Sequence, residues 1–241
     1  MKRHAVTTIV VGLGCLVAVS ACDLLWPTPV ADPLSQWLDT FQTYPVAGFP
    51  PDNWHKSGNA DASGNEVVWD IDTDTTRGHV LELTGVYGGN WSSVAYRAVS
   101  LTDLHHIRFR VKTSDVGGVG SHHFNAAVDL MTEPDWTANG RWLIFFGTEG
   151  KIRTSLSLTP ADGEGLILGD YELGKWYDVE IWYNRDPDGT VGLSYYVDGR
   201  SVGRVVLSAL SYEESLGYLG LWSGDTKAWF DDVGVSPSGH Y

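Results

Sequence analysis

Apolar and polar residues alternate with a period of two along much of the chain, most clearly from Trp176 to Val235. In the stretch WYDVEIWY, the odd-numbered positions from Tyr177 to Tyr183 fall on one face of an extended strand. Asp178 and Glu180 fall on the opposite face. A strand with one apolar and one polar face is typical of a sheet that covers a core on one side only.

Turn residues separate these alternating segments. Asp186–Gly189 combines a Pro, which presets φ, with a Gly, which accepts positive φ, and Asp198-Gly199 suits a tight hairpin. The segment 43–65, rich in Pro, Gly, Asn and Asp, is predicted to be loop, and Ser35–Phe41 is either a helical turn or an opening strand. The predicted strands are Glu66–Asp72, His79–Thr84, Ser93–Ala98, Leu104–Lys112, His122–Met131, Arg141–Gly147, Lys151–Leu158, Trp176–Asn184, Val191–Asp198, Ser201–Leu207, Tyr218–Trp222 and Ala228–Val235.

The number of strands and the lack of helical periodicity decide the fold class. No ten-residue stretch after residue 34 has a helical repeat, and no repeat of solenoid or propeller spacing occurs. About twelve strands without helices predict an all-β, two-sheet antiparallel β-sandwich, a jelly roll.

Three motifs in the last third of the chain resemble one known superfamily. WYDVEI at 176–181, YYVDG at 195–199 and FDDV at 230–233 have the order and spacing of the concanavalin A-like lectin/glucanase superfamily, especially its laminin-G-like branch. The resemblance implies a concanavalin A-like sandwich over residues 35–241, a fold that hosts lectins, hydrolases, lyases and adhesion modules alike. The glucanase motif Glu-x-Asp-x-x-Glu is absent, because Asp178 and Glu180 lack a third carboxylate, and this argues against a retaining glycosidase of that type.

The N-terminus has the pattern of a bacterial lipoprotein signal peptide. Residues 1–21 combine two basic residues with an uncharged apolar stretch, and they end in Val-Ser-Ala before Cys22, which resembles a lipobox. Cys22 is then the lipidation site, residues 22–34 are a Pro-rich tether, and the protein is predicted to be anchored in the bacterial cell envelope. The alternative is an ordinary signal peptide with a chance Cys.

Charge and cysteine content narrow the partners and the chemistry. The net charge of −14 disfavours both nucleic acid and an anionic membrane surface as partners. Membrane contact is therefore expected through the lipid anchor alone. Of the two cysteines, Cys15 lies in the signal segment and Cys22 carries the lipid, which excludes disulfides and cysteine catalysis in the mature chain. We expect a monomer.

Aromatic loops and one polar strand face are the candidates for glycan binding. A sugar ring stacks its C–H face on an aromatic ring while amides and carboxylates take its hydroxyls, although a single Trp is more often part of a core. On the strand 122–131, alternation predicts Phe124 and the even-numbered apolar residues toward the core, and the remaining positions on a face that is either a glycan site or simply solvated. The predicted ligand-binding residues are Tyr87, Asn90, Trp91, His123, Asn125, Asp129, Trp136 and Trp222.

Two further groups of charged residues have open interpretations. Asp39, Asp231 and Asp232 are candidates for a structural Ca²⁺ site between the first segment and the last strand, or else they make an edge strand soluble. His106, Arg108, Arg110 and Lys112 share one strand face; they either bind uronate or sulfate groups or, as we favour, pair with an acidic neighbour such as the Asp231–Asp232 strand.

These features favour non-catalytic binding of an extracellular or envelope polysaccharide. The second hypothesis is a polysaccharide lyase or glycoside hydrolase with a non-standard site, in which His123 or a Tyr is the base and Arg97 or Arg141 neutralises a uronate. The third is a structural surface lipoprotein that makes protein contacts. Convergence of the Arg, His and Tyr in one cleft would favour the lyase.

Overall fold

A computed structural model describes residues 36–49, 53–58, 68–85, 93–100, 104–115, 124–133, 140–154, 165–185, 187, 190–207, 217–224 and 226–239. The predicted signal peptide, 1–21, and tether, 22–34, with Cys22, lie outside these residues. Within the described ranges, no helix is long and apolar enough to span a bilayer. The strands in these ranges are β1 (Trp37–Asp39), β2 (Trp54–Gly58), β3 (Val68–Asp74), β4 (Gly78–Thr84), β5 (Ser93–Ala98), β6 (His106–Thr113), β7 (Phe124–Met131), β8 (Gly140–Gly147), β9 (Lys151–Arg153), β10 (Ile167–Asp170), β11 (Trp176–Arg185), β12 (Val191–Val197), β13 (Arg200–Leu207), β14 (Tyr218–Ser223) and β15 (Lys227–Ser236).

The predicted fold class is confirmed: the strands form two antiparallel sheets. Sheet A has eight strands in the order β13-β12-β11-β6-β15-β4-β3, and β1 pairs with the free end of β15. Sheet B has seven strands in the order β10-β9-β8-β7-β14-β5-β2. Each predicted strand overlaps an observed one, and the opening segment is strand β1. The prediction was wrong at β2, which lies in the segment expected to be loop, and it missed β10.

Alternation explains how the two sheets form a common core. The odd-numbered apolar positions of β11 belong to one buried cluster between the sheets, together with Ala126, Val128 and Leu130 of β7. Phe109 of β6 and Phe230 of β15 are fully buried there, with their ring centroids 6.4 Å apart. Burying an aliphatic or aromatic side chain of this size stabilises the fold by about 1.5–3 kcal/mol. This core supports both outer faces.

Asp39 joins β1 of sheet A to sheet B. Its carboxylate accepts hydrogen bonds from the indole Nε1 of Trp54 (2.8 Å), from the hydroxyl of Tyr44 (2.9 Å) and from the backbone N–H of Phe41 (2.9 Å). It also pairs with Arg97 Nη1 of β5 at 3.0 Å. Trp54 and Arg97 face each other in the β2–β5 register, so Asp39 holds two sheet B strands at once.

Two backbone features match the turn residues of the sequence. Asp198 and Gly199 have φ values of 50° and 71° and close the β12–β13 hairpin, as the Asp-Gly pair predicts. Asp232 has a φ of 47° where the β15–β6 register shifts between Asp231 and Gly234, so the adjacent acidic residues form a β-bulge. The bulge turns the two carboxylates toward different neighbours.

Candidate functional site

A second buried cluster covers the outer face of sheet B. We call it the aromatic face and define it by the rings of Tyr96, Phe124, Trp142, Tyr218 and Trp222. Trp142 lies 4.9 Å from Trp222 and 5.4 Å from Phe124, measured between ring centroids, and Tyr96 meets Trp222 edge-on at 6.3 Å. Trp142 and Tyr218 are partly exposed, whereas the other three rings are buried. Such a cluster on the side away from the core is a candidate ligand platform.

Strand register brings a carboxyl group into the middle of this face. Reading across sheet B, Trp142 of β8 is opposite Asp129 of β7, and Asp129 is opposite Gly220 of β14. Gly220 is opposite Tyr96 of β5, which in turn faces His55 of β2. We call these five residues the central row. Along β14, Tyr218 and Trp222 flank Gly220 on the same face.

Gly220 makes the space that Asp129 occupies. A Cβ placed on Gly220 would overlap Asp129 Oδ1 and would lie 3.0 Å from Tyr96 Cε1 and 3.1 Å from Trp222 Nε1. The carboxyl group therefore fills a notch that only glycine leaves open, between aromatic rings. Within the described residues, neither oxygen of Asp129 has a hydrogen-bond partner, and the neighbouring indole N–H of Trp222 also lacks one.

The surroundings of Asp129 favour its neutral form. The side chain is 1% exposed. Burial raises the pKa of the Asp129 carboxyl well above its ordinary value, and the nearby indole of Trp222 offsets only part of that rise. A protonated carboxyl is both a hydrogen-bond donor and an acceptor, so it can take a polar ligand group in either role.

Asn125 has a structural partner in this sheet. Its side-chain N–H donates to the hydroxyl of Tyr171 at 2.5 Å, and that hydroxyl donates to the carbonyl of Gly147 at 2.8 Å. Asn125 is fully buried, and burial raises the pKa of Tyr171 to about 12. The amide therefore holds the segment after β10 against β8, which is a packing role.

The basic face of β6 pairs with acidic neighbours, as the favoured interpretation predicts. Arg110 bonds Asp232 on one side, and its Nε donates to Asp178 at 3.3 Å on the other. His106 Nε2 lies 3.0 Å from Glu180. These contacts follow from the β11–β6 and β15–β6 registers, which place the opposite charges side by side on the outer face of sheet A.

Lys112 extends this arrangement with aromatic neighbours. Its ammonium group lies 4.7 Å from the ring centre of Trp229 and 5.1 Å from that of Trp176, and it pairs with Asp74. Trp229 Nε1 in turn donates to Glu82 at 3.0 Å. The four basic residues of β6 on the outer face of sheet A thus already have acidic protein partners.

The calcium prediction gains no support from the described residues. Asp39 is bound to Arg97, and Asp232 is bound to Arg110, with Arg108 at 3.8 Å. Asp231 accepts the backbone N–H of Asp232 at 2.8 Å. No group of three or more His, Cys, Asp or Glu side chains in the described ranges is arranged to hold a metal ion.

The structure brings together only some of the predicted ligand-binding residues. Asp129 and Trp222 lie side by side on the aromatic face, and Asn125 is on the same strand as Asp129. Tyr87, Asn90, Trp91, His123 and Trp136 lie outside the described residues. Sequence reasoning missed Tyr96, Trp142, Tyr218 and Gly220. The pattern Tyr218-x-Gly220-x-Trp222 was a usable signal, since alternation puts these three on one face.

One expectation on β7 was wrong. Phe124 was predicted to point to the core with Ala126, Val128 and Leu130, but it packs on the aromatic face. The register with β8 shifts between Phe124 and Ala126, and this irregularity moves the ring to the other side of the sheet.

Arg97 does not lie at the aromatic face. It points between the sheets, where it pairs with Asp39 and stacks 4.1 Å from the ring centre of Trp37. A polyuronate on the outer face of sheet B therefore has no access to it. The structure gives no description of the Arg141 side chain.

A separate cleft of about 400 Å³ opens where β9 and β10 approach the β12–β13 hairpin. Tyr171 and Tyr177 form part of its wall, and the charged side chains of Glu172, Lys175 and Arg200 surround it. Lys175 lies 5.0 Å from the ring centre of Tyr177. The charged groups of this cleft are of both signs and exposed, which makes it a weaker candidate than the aromatic face.

Comparison with known proteins places the fold. No family model matches the chain, and no curated protein matches it. Among solved structures, the chain is similar to the endo-β-1,4-glucuronan lyase of the fungus Trichoderma reesei, with 14% identity, a TM-score of 0.54 and coverage of 81% of this chain and 95% of that one. The chain is also similar to a mutant of alginate lyase Aly36B in complex with alginate tetrasaccharide, with 13% identity, a TM-score of 0.52 and coverage of 84% of this chain and 96% of that one. A third similar structure is a protein of unknown function from Shewanella oneidensis MR-1, with 11% identity, a TM-score of 0.53 and coverage of 100% of this chain and 99% of that one. These likenesses show a shared β-sandwich.

Proposed function

We propose that this protein binds a polysaccharide on the aromatic face of sheet B and does so without cleaving it. The observation that carries the proposal is the arrangement of two partly exposed rings, Trp142 and Tyr218, beside the Asp129 carboxyl. Rings offer stacking surfaces for sugar C–H faces, and the carboxyl offers a hydrogen-bonding group between them.

The spacing along β14 suits an extended ligand. Tyr218 and Trp222 are four residues apart on one strand, which corresponds to about 13–14 Å at the usual rise of a strand. The ring of Trp142 continues the surface across the sheet, and exposed His55 packs 6.4 Å from Tyr218 at its other side. Two of the proteins with similar folds are a glucuronan lyase and an alginate lyase, and this supports a polysaccharide as the ligand.

The positions and partners of the described cationic side chains favour binding over cleavage. The lyase hypothesis needs a cation next to the substrate carboxylate, and Arg97 is committed to Asp39 on the other side of the sheet. On the outer face of sheet B, the described cations Lys151 and Arg153 pair with Asp170 and Glu149.

Calorimetric titration of the purified protein against neutral glucans, polyuronates and amino-sugar polymers tests the proposal. We expect binding to at least one class, and we expect Trp142→Ala and Tyr218→Ala each to weaken it about tenfold or more, as for aromatic anchors in other interfaces. Trp182→Ala is the matched control, since Trp182 is a partly exposed Trp on the outer face of sheet A, stacked on His106 at 4.3 Å.

Two results would contradict the proposal. If no class binds, the glycan function is lost and the protein-contact hypothesis gains. If incubation with a polyuronate produces unsaturated uronate, seen as new ultraviolet absorbance, the protein is a lyase. Circular dichroism of each variant confirms that the sandwich is intact.

We also propose that the protein is a lipid-anchored component of the bacterial cell envelope, with the lipid on Cys22. The lipobox-like residues before Cys22 support this. Labelling with radioactive palmitate in a bacterial host should tag the wild type and not Cys22→Ser. Equal labelling of both, or of neither, would contradict it.

A further inference from the structure

Asp129 differs from the other buried acids of the protein. Four carboxyl side chains are buried in the described residues: Asp39, Glu82, Asp129 and Asp231. Asp39 pairs with Arg97, Glu82 accepts from Lys227 at 2.6 Å, and Asp231 accepts a backbone N–H. Asp129 alone among these four has no hydrogen-bond partner in the described structure. A buried polar group without a partner lowers stability by about 1–3 kcal/mol, so its retention needs another reason.

The groups around Asp129 are aromatic. Along the central row, Trp142 is on one side of Asp129 and Tyr96 lies beyond the notch of Gly220 on the other. Trp222 and Tyr218 flank that notch on β14. The titratable members of the row other than Asp129 are Tyr96 and His55, and the row contains no Lys or Arg.

A carboxyl group enclosed by aromatic rings suits a cation. The face of an aromatic ring carries partial negative charge and attracts ammonium groups, by up to about 2 kcal/mol or more when water is excluded. The carboxylate supplies the counter-charge within the same site. The net charge of −14 also attracts cations to the molecule as a whole and repels polyanions.

We propose that the Asp129 notch binds the protonated amino group of an amino sugar, so that the glycan ligand is one with free rather than acetylated amines. This rests on the glycan function proposed above and names its ligand class. An amino-sugar ligand differs from the alginate tetrasaccharide that is bound in one structure of similar fold.

Binding in this way releases a proton. Burial raises the pKa of Asp129 and so favours its neutral form in the free protein, whereas the arriving ammonium group stabilises the carboxylate. The carboxyl O–H bond breaks, the proton leaves to buffer, and the carboxylate pairs with the ammonium, which keeps its own protons. The carboxyl is covered in the free protein, so the partly exposed ring of Trp142 or Tyr218 must rotate to admit the ligand.

Calorimetry with glucosamine oligomers and N-acetylglucosamine oligomers of equal length tests the proposal, using wild-type protein and Asp129→Asn at neutral pH. We expect the wild type to prefer the free amine about tenfold or more, and Asp129→Asn to lose that preference. We also expect release of about one proton per bound amine by the wild type, measured from the binding enthalpy in two buffers of different ionisation enthalpy, and none by the variant. Asp178→Asn, on the outer face of sheet A, is the control and should bind as the wild type does.

The outcomes separate this inference from the function on which it rests. Equal affinity for the two oligomers, or a preference that survives in Asp129→Asn, overturns the amino-sugar inference. If a neutral or uronic polysaccharide binds instead and Trp142→Ala abolishes that binding, the glycan function stands and the amine site does not. If nothing binds, both are wrong. Asp129→Asn keeps the shape of the side chain, and circular dichroism checks its fold.

Discussion

At the scale of single residues, the aromatic face depends on one glycine as much as on its rings. Gly220 leaves room for the carboxyl group of Asp129, and register then sets that carboxyl between Trp142 and Tyr96. A side chain at position 220 would compete with the carboxyl for the same volume. The notch is therefore a property of four adjacent strands, β8, β7, β14 and β5.

Gly220→Ala is expected to disturb the notch. The added methyl group overlaps Asp129 and presses on Tyr96 and Trp222, so we expect a loss of about 1–3 kcal/mol in the free energy of unfolding, as for overpacked cores. Gly217→Ala is the control, because a Cβ on Gly217 has no atom within 4 Å. Urea denaturation compares the two; equal effects would mean that position 220 is not constrained by Asp129.

Asp231 should make the stability fall as the pH rises through mild acid. Burial raises its pKa from 3.8 to about 6 in the folded state, although Arg77 and Arg110 lower it. Between those values the folded protein holds a proton that the unfolded chain has lost, so stability decreases with rising pH, by about 3 kcal/mol in total. Asp231→Asn should remove this slope in urea denaturation between about pH 4 and pH 6. An unchanged slope would show that Asp231 ionises normally.

At the scale of strands, β1 is short but anchors the two sheets to each other. Its three residues pair with β15 of sheet A, while Asp39 reaches Trp54 and Arg97 of sheet B. Burial lowers the pKa of Arg97, and Asp39 opposes that effect by pairing with it. Other hydrogen bonds also join the sheets, such as those from Trp69 Nε1 to the Val94 carbonyl and from the Tyr195 hydroxyl to the Leu143 carbonyl, both 2.9 Å, but Asp39 adds an ion pair.

Asp39→Ala should therefore destabilise the whole sandwich. It leaves the guanidinium of Arg97, whose side chain is only 15% exposed, without its counter-charge. Loss of one partner from a buried ion pair typically costs about 3–5 kcal/mol, and we expect a value toward the lower end. Leu38→Ala is the control on the same strand, because Leu38 is 40% exposed. Adding Arg97→Met to Asp39→Ala should recover part of the loss in urea denaturation. A small effect of Asp39→Ala, comparable with that of Leu38→Ala, would contradict the anchoring role.

Strands with clear alternation were predictable, and the others were not. β5 was predicted with its observed bounds, and β11 and β15 to within one residue, because each alternates over a full strand length. β2 was missed since Trp54–Gly58 lies among Pro, Gly and Asn, and only pairing with β5 makes it a strand. β10 is four residues long and has a single buried residue, so it carries little periodic signal.

At the scale of the whole molecule, the sequence predicted the sandwich but located only part of the candidate site. Alternation placed Asp129 on the outer face of its strand, and this holds. It does not say which strands lie side by side, because β14 reaches β7 only after a long interval of chain. Gly220 becomes a neighbour of Asp129 through that pairing, and Tyr96 follows through the pairing of β14 with β5. Trp142 is opposite Asp129 through the separate pairing of β7 with β8.

The pairing of β1 with β15 also places the first and last strands of the sandwich side by side. Trp37 lies opposite Val235, so the ends of the folded region are neighbours, at the separation of adjacent strands, about 5 Å. A circular permutant that joins residues 36 and 239 by a short linker, with new ends at the exposed Asp198-Gly199 turn, should fold to the same sandwich with a similar urea midpoint. We therefore expect the fold to depend on which strands pair with each other and not on the position at which the chain starts.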